Sequence, residues 1–62
     1  MTERLFADGA LVDRIEVRDV TLATVVSAEW SDGPDAGWTY LINYLEGGSG
    51  YWPEACLQAH VV

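Results

Sequence analysis

The chain has 62 residues, half of them hydrophobic, and a formal net charge of −7 at pH 7. This length allows one small domain, residues 1–62, and the apolar content excludes an intrinsically disordered chain. Ten acidic side chains stand against three basic ones, so the clustered positive charge that direct nucleic-acid binding needs is absent.

Two strands are predicted in the first half of the chain. Residues 14–18 alternate polar and apolar side chains with a period of two, which is typical of a half-exposed strand. Residues 21–30 are rich in β-branched and apolar side chains and predict a longer strand. For residues 10–13 the pattern fits a first helical turn or a continuation of strand, and both interpretations stay open.

A loop and a third strand follow. Residues 31–37 (Ser-Asp-Gly-Pro-Asp-Ala-Gly) carry a strong loop signal, and residues 38–45 are rich in aromatic and branched side chains. Two strand-like runs joined by such a loop predict an antiparallel hairpin. Because Trp30 and Trp38 flank the loop, we expect the hairpin to bring their side chains close together.

The remaining residues predict two turns and a closing strand. A glycine-rich turn is expected at residues 47–50, with positive φ in at least one of its glycines. Tyr51 and Trp52 then begin a strand that stops at Pro53, which cannot donate into a sheet ladder. Residues 53–57 suit a single helical turn, and residues 60–62 suit a last strand.

These elements predict an all-β fold: a small SH3-like barrel of about five strands, with one helical turn near residues 53–57. Closure of the barrel would remove the exposed edges that so small a sheet could not otherwise cover. The order of the strands, the loop, the glycine turn, the aromatic-proline pair and the helical turn resembles the SH3/Tudor-like superfold.

Three stretches carry a narrower resemblance: residues 23–27 (Ala-Thr-Val-Val-Ser), 40–42 (Tyr-Leu-Ile) and 51–57 (Tyr-Trp-Pro-Glu-Ala-Cys-Leu). They are similar to the plasmid-type (type II) dihydrofolate reductases, which are small SH3-like barrels assembled as tetramers. That family carries a Gly-Ser-Val-Gln-Ile-Tyr-Pro-x-Ala-x-Leu segment, whose proline matches Pro53. The resemblance implies a shared fold and covers about half of the chain.

Two departures separate the chain from reductase activity. The family's glutamine, which the resemblance assigns to cofactor and folate binding, falls on Gly50, which has no amide side chain. The family's pore also uses lysine to attract anionic substrates, and this chain has none. A pore lined by four acidic chains would repel a phosphate-bearing cofactor, so we expect no cofactor.

Few side chains are candidates for catalysis or metal binding. His60 is the only histidine and lacks further ligands at metal-binding spacing. Cys56 cannot form an internal disulfide and is expected to be largely buried and unreactive. The carboxylate pairs lie in or beside turns, where charged side chains normally meet water. We therefore predict no catalytic residue and no metal site.

The aromatic side chains are the best functional candidates. Trp38, Tyr40 and Tyr44 share one face of the strand 38–45, and Leu41 and Leu45 share the other. Whichever face is buried, large apolar groups remain outside, and an exposed apolar patch marks a contact surface. The predicted binding residues are Trp30, Trp38, Tyr44, Tyr51 and Trp52. Simple filling of the core by these side chains is the alternative.

The sequence therefore predicts a non-catalytic SH3-like interaction module. Its partners would be further copies of itself, in a homo-oligomer, or a protein or peptide ligand; SH3-like domains commonly bind peptides in aromatic grooves. A divergent type II reductase-like enzyme and an acidic inhibitor that mimics nucleic acid are the alternatives. With no apolar run of membrane-spanning length, no secretory leader and a single cysteine, we expect a cytoplasmic protein that does not bind membranes.

Overall fold

The computed structural model describes residues 3–61 of the chain. Within them the fold is all-β, as predicted, and its only helical element is a single 3₁₀ turn at Glu54–Cys56. The strands are β1 (Leu11–Glu16), β2 (Asp19–Ser31), β3 (Gly37–Tyr44), β4 (Ser49–Pro53) and β5 (Leu57–Ala59). They form one antiparallel sheet in the order β4-β3-β2-β1-β5, an arrangement consistent with an SH3-like barrel.

The sheet is not closed, which corrects the expected closed barrel. β4 and β5 are its two edges, and the described residues show no pairing between them. The physical reason lies in the short segment that joins them. Pro53 ends β4 without a backbone N–H to donate, and the three residues of β5 pair only with β1.

β2 is long enough to serve both halves of the curved sheet. Its 13 residues pair with β1 at the start and with β3 along the rest. The register shifts between Val25 and Ser27, leaving Val26 as the extra residue of a β-bulge. A bulge increases the local twist and bends the strand, so β2 turns from one half of the sheet into the other.

The first and last strands differ most from the sequence prediction, and the open question over residues 10–13 is answered; β2 and β3 differ by one or two residues at their ends. β1 begins at Leu11, so that stretch is mainly strand, and it ends at Glu16 because residues 17–18 form a tight turn. The last strand is β5, not residues 60–62. Leu57 supplies its buried anchor, whereas His60 lies after its end and Val62 lies outside the described residues.

The core lies on the concave side of the sheet. Tyr40 and Ile42 of β3 are fully buried, so the aromatic face of that strand points inward. Trp38 and Tyr44, on the same face, are half-buried against the core. Phe6, from the segment before β1, packs edge-to-face on Tyr40 with ring centroids 5.4 Å apart. The buried side chains are Phe6, Val12, Ala23, Val25, Tyr40, Ile42 and Leu57.

The glycine turn is confirmed, with positive φ at Gly47 (115°) and Gly48 (89°). Gly50 lies in β4 and is needed for a different reason. A Cβ placed on it would lie 3.2 Å from both Trp52 Nε1 and the Tyr44 hydroxyl oxygen. The backbone at Gly50 therefore passes directly against a pair of aromatic side chains.

Candidate functional site

A groove of about 480 Å³ lies between the β2–β3 loop and the 3₁₀ turn. We call it the indole groove, because two tryptophans form one side of it. Ser31, Asp35, Ala36, Gly37 and Thr39 from the hairpin line it together with Trp30 and Trp38, and Pro53, Glu54 and Ala55 line it from the other side. The groove thus lies between the loop end of the β2–β3 hairpin and the 3₁₀ turn that connects β4 to β5.

The register of the hairpin places the two indoles together. Trp30 and Trp38 are direct partners across β2 and β3. Their ring centroids lie 5.5 Å apart at an interplanar angle of 71°, an edge-to-face contact. The expected proximity of these residues is confirmed. Trp30 Nε1 also donates a 2.6 Å hydrogen bond to Asp32, which fixes the ring toward the loop.

Three carboxylates surround the indoles. Asp35 and Glu54 line the groove, and Asp32 lies beside it in the loop. Among residues 3–61, no ion pair is formed by any of these three side chains. The groove therefore combines aromatic faces with negative charge that no basic side chain of the described chain neutralises.

Tyr40 fixes the position of Glu54. The buried Tyr40 hydroxyl donates a 2.5 Å hydrogen bond to the Glu54 carboxylate and accepts from the backbone N–H groups of Leu5 and Phe6, at 3.1 and 3.3 Å. Burial first, and then the hydrogen bond to Glu54, raise the pKa of the Tyr40 phenol above its ordinary value of 10.0. The phenol thus stays neutral at physiological pH and holds the carboxylate at the groove.

Arg4 lies beside the same aromatic surface. Its guanidinium carbon is 6.0 Å from the Trp38 ring centroid and 5.6 Å from that of Tyr40. Hydrogen bonds to Asp8 (2.7 Å) and to the Phe6 carbonyl (2.8 Å) hold it there. The chain itself thus places a guanidinium within cation–π distance of a groove tryptophan.

Two of the predicted binding residues lie elsewhere, around Arg14 at the other end of β3. The Arg14 guanidinium carbon is 4.6 Å from the Trp52 ring centroid and 5.4 Å from that of Tyr44. Trp52 Nε1 donates a 2.6 Å hydrogen bond to the Tyr44 hydroxyl. Glu16 and Thr21 accept hydrogen bonds from the same guanidinium, at 2.6 and 2.9 Å. This cluster is largely buried, and its Arg14 Nε forms no hydrogen bond within residues 3–61. Trp52 also lines the depression beside residues 15–19.

Tyr51, the fifth predicted binding residue, pairs with Leu41 across β3 and β4 and is 70% exposed. With Leu41 and Thr39 it lines a separate shallow depression. The five predicted residues therefore divide among three places, and only Trp30 and Trp38 share the indole groove.

The structure places the cysteine and the histidine apart from the groove. Cys56 is a free thiol that is half-buried, less covered than expected, because it belongs to the exposed 3₁₀ turn. His60 Nδ1 lies 3.0 Å from Asp13, an ion pair when the ring is protonated. Within residues 3–61 no group of three or more His, Cys, Asp or Glu side chains could hold a metal ion.

Sequence reasoning missed the segment before β1 and the role of Glu54. Nothing in residues 3–9 repeats with a strand or helix period, so the sequence predicts no position for Phe6 or Arg4. The sequence feature that points to Arg4 is the small number of basic residues, since the chain has only three lysines and arginines in total. Basic side chains in so acidic a protein are candidates for specific contacts.

No family model, curated protein or solved structure matches this chain. The resemblance to type II dihydrofolate reductases therefore stays a prediction. No helix in the described part of the chain has the length and apolar character to cross a membrane.

Proposed function

We propose that this protein is a non-catalytic interaction module of SH3-like architecture whose indole groove binds a positively charged segment of a partner protein. The observation that supports this most is the pairing of two half-buried indoles with three carboxylates that form no ion pair within residues 3–61. Such a surface offers apolar contact area and negative charge to one ligand.

The chemistry of the groove favours an arginine or lysine side chain. The face of an indole attracts a cation, and a guanidinium also stacks on it. The contact of Arg4 with Trp38 is an example within the chain. A net charge of −7 adds long-range attraction for a basic partner and raises the rate of encounter.

Gly50 argues against the reductase-like alternative. A side chain at this position would need the space that Trp52 and Tyr44 already occupy at 3.2 Å. A glutamine here would therefore require the Trp52 and Tyr44 side chains to shift by a few tenths of an ångström. An enzyme of that type would need another residue for cofactor and substrate.

The test is an NMR titration with a blocked tetra-arginine peptide, followed at the three indole N–H signals. We expect the signals of Trp30 and Trp38 to shift on addition of the peptide. Trp52 serves as an internal control because its N–H is hydrogen-bonded inside the Arg14 cluster. A blocked tetraglutamate peptide of the same length is the matched control ligand and should shift none of them.

Two outcomes would contradict the proposal. One is the absence of any shift at millimolar tetra-arginine. The other is a set of small shifts of equal size over the whole surface, which would indicate diffuse attraction to an acidic protein. That second pattern is the one expected of an acidic mimic of nucleic acid.

A further inference from the structure

The β1–β2 turn carries an apolar surface that the fold does not use. Val17, one of its two turn residues, is fully exposed, and Val20 at the start of β2 is 59% exposed. Ile15, the direct cross-strand partner of Val20, is also exposed. Turn positions normally favour glycine, asparagine, aspartate or serine, so a valine at this point has no local structural reason.

A depression of about 780 Å³ adjoins the turn. Trp52 and Cys56 line it from the side of the 3₁₀ turn, opposite Ile15 and Val17. We call this surface the turn patch; its residues are Ile15, Glu16, Val17, Arg18, Asp19, Trp52 and Cys56. The turn patch thus presents the exposed side chain of Val17 next to a depression that Trp52 lines.

The turn patch holds the carboxylates Glu16 and Asp19 and one arginine, Arg18, and Glu16 is paired with Arg14 beside the patch, so Arg18 and Asp19 are left with opposite charges. Arg18 is the arginine for which the described residues give no ion pair, whereas Arg4 and Arg14 are both paired. It is adjacent in sequence to Asp19, whose one ion-pair contact among residues 3–61 is a 4.0 Å approach to Arg14. When two copies of such a surface meet across a two-fold axis, the positive side chain of each copy can face the negative side chain of the other.

We propose that the turn patch is the interface of a symmetric homodimer of this chain. Val17 of each copy enters the depression of the other, and Arg18 of each copy faces Asp19 of its partner. Two chains of net charge −7 repel each other over most of their surfaces, and the turn patch is where they meet without that repulsion.

The area required is compatible with the size of the chain. A stable interface buries at least about 1,200 Å² in total, or about 600 Å² from each copy. That is roughly one seventh of the 4331 Å² accessible surface of the described chain. A domain of 62 residues has a small core, so association also adds stability that the single chain lacks.

Sedimentation equilibrium over micromolar to millimolar concentrations tests the interface with one matched pair of variants. Val17→Asp should raise the dimer dissociation constant at least ten-fold, because it places an unpaired charge in the depression. Val61→Asp is the control, since Val61 is also exposed and follows β5 outside the patch. It should dissociate like the parent protein.

A charge exchange tests the proposed ion pair. Arg18→Asp and Asp19→Arg should each weaken the dimer several-fold, and the double variant, which restores opposite charges, should recover most of the loss. In parallel, labelling of Cys56 by a thiol reagent should slow as the parent dimer forms and stay fast in Val17→Asp. Circular dichroism confirms that each variant is folded.

Three results would overturn this inference: a parent protein that stays monomeric at millimolar concentration, equal association of the Val17 and Val61 variants, or a double variant as weak as the sum of its parts. None of them bears on the indole groove, which lies at the other end of the β2–β3 hairpin.

Discussion

Tyr40 is the side chain on which the indole groove depends most. Its ring fills the core, and its hydroxyl joins the segment before β1 to the Glu54 carboxylate through three hydrogen bonds. A phenylalanine in its place would keep the ring and remove all three bonds. One atom therefore links the core, the segment that carries Arg4 and the acidic side of the groove.

Tyr40→Phe should lower the free energy of unfolding by about 1–3 kcal/mol, because the buried Phe6 N–H loses its partner and the Leu5 N–H and Glu54 carboxylate keep only their bond to each other. Urea denaturation at pH 7 measures this difference. Tyr51→Phe is the control, since the exposed Tyr51 hydroxyl forms no hydrogen bond within residues 3–61 and its loss should change stability little. Equal effects of the two variants would contradict the role given to Tyr40.

The same phenol predicts how stability depends on alkaline pH. Its pKa is raised in the folded chain above the ordinary value of 10.0, so folding favours the protonated form. This contribution is fully present below about pH 10 and is lost as the pH rises through the folded pKa. Urea midpoints between pH 8 and 11 should fall more steeply for the parent than for Tyr40→Phe. Parallel profiles would exclude the phenol as the cause.

Gly50 sets a limit on what β4 can carry. Gly50→Ala should destabilise the fold by about 1–3 kcal/mol, the usual cost of overpacking, because the added methyl group meets Trp52 and Tyr44 at 3.2 Å. Gly37→Ala is the matched control, since a Cβ there meets nothing within 4 Å and its φ is not positive. Thermal denaturation of the two variants should separate them. Similar midpoints would mean that the Trp52 and Tyr44 side chains can shift without lowering the stability of the fold.

At the scale of elements, the β3–β4 turn fixes the pairing of β4. Gly47 has a φ of 115° and open space around its Cβ position, so its replacement tests backbone conformation alone. Gly47→Ala should cost about 1–2 kcal/mol, the penalty of a left-handed conformation for an L-residue. A neutral or stabilising effect in urea denaturation would indicate a loose turn and a variable β4 register.

Much of the element order could be predicted, since alternation and turn residues carry that information locally. The turn at residues 17–18 could not, because Val17 and Arg18 are not turn-forming residues and the alternating pattern continues through them. The sequence predicts the closing strand too late, because residues 60–62 resemble a strand more than Leu57 and its neighbours do. Closure of the barrel depends on how far two edges approach, which no local pattern records.

The candidate site could be predicted only where its contacts join residues close together in the sequence. Trp30 and Trp38 flank one loop, so hairpin pairing alone brings them together. Glu54 reaches the groove because the 3₁₀ turn returns beside β3, a contact between residues distant in sequence. The sequence predicts Tyr44 and Trp52 as binding residues from its excess of aromatic side chains, whereas their contact with Arg14 depends on the whole sheet and leaves no local pattern.

At the scale of the whole molecule, the two ends of the β2–β3 hairpin differ in charge. The carboxylates of the indole groove form no ion pair within residues 3–61, whereas at the other end Glu16 pairs with Arg14 and Asp19 approaches the same guanidinium at 4.0 Å. Charge that is unpaired at one place attracts a specific partner, whereas charge spread evenly only adds solubility. This difference separates a binding module from a merely acidic protein.

The most direct test of the proposed binding function compares two charge-neutralised variants in calorimetric titrations with tetra-arginine. Asp32→Asn with Asp35→Asn removes charge at the groove, and Asp19→Asn with Glu46→Gln removes it at the other end of the hairpin. Both pairs change the net charge from −7 to −5. We predict that the groove pair weakens binding at least ten-fold and that the distant pair leaves it within two-fold of the parent. Equal weakening by both pairs would contradict a specific site in the indole groove.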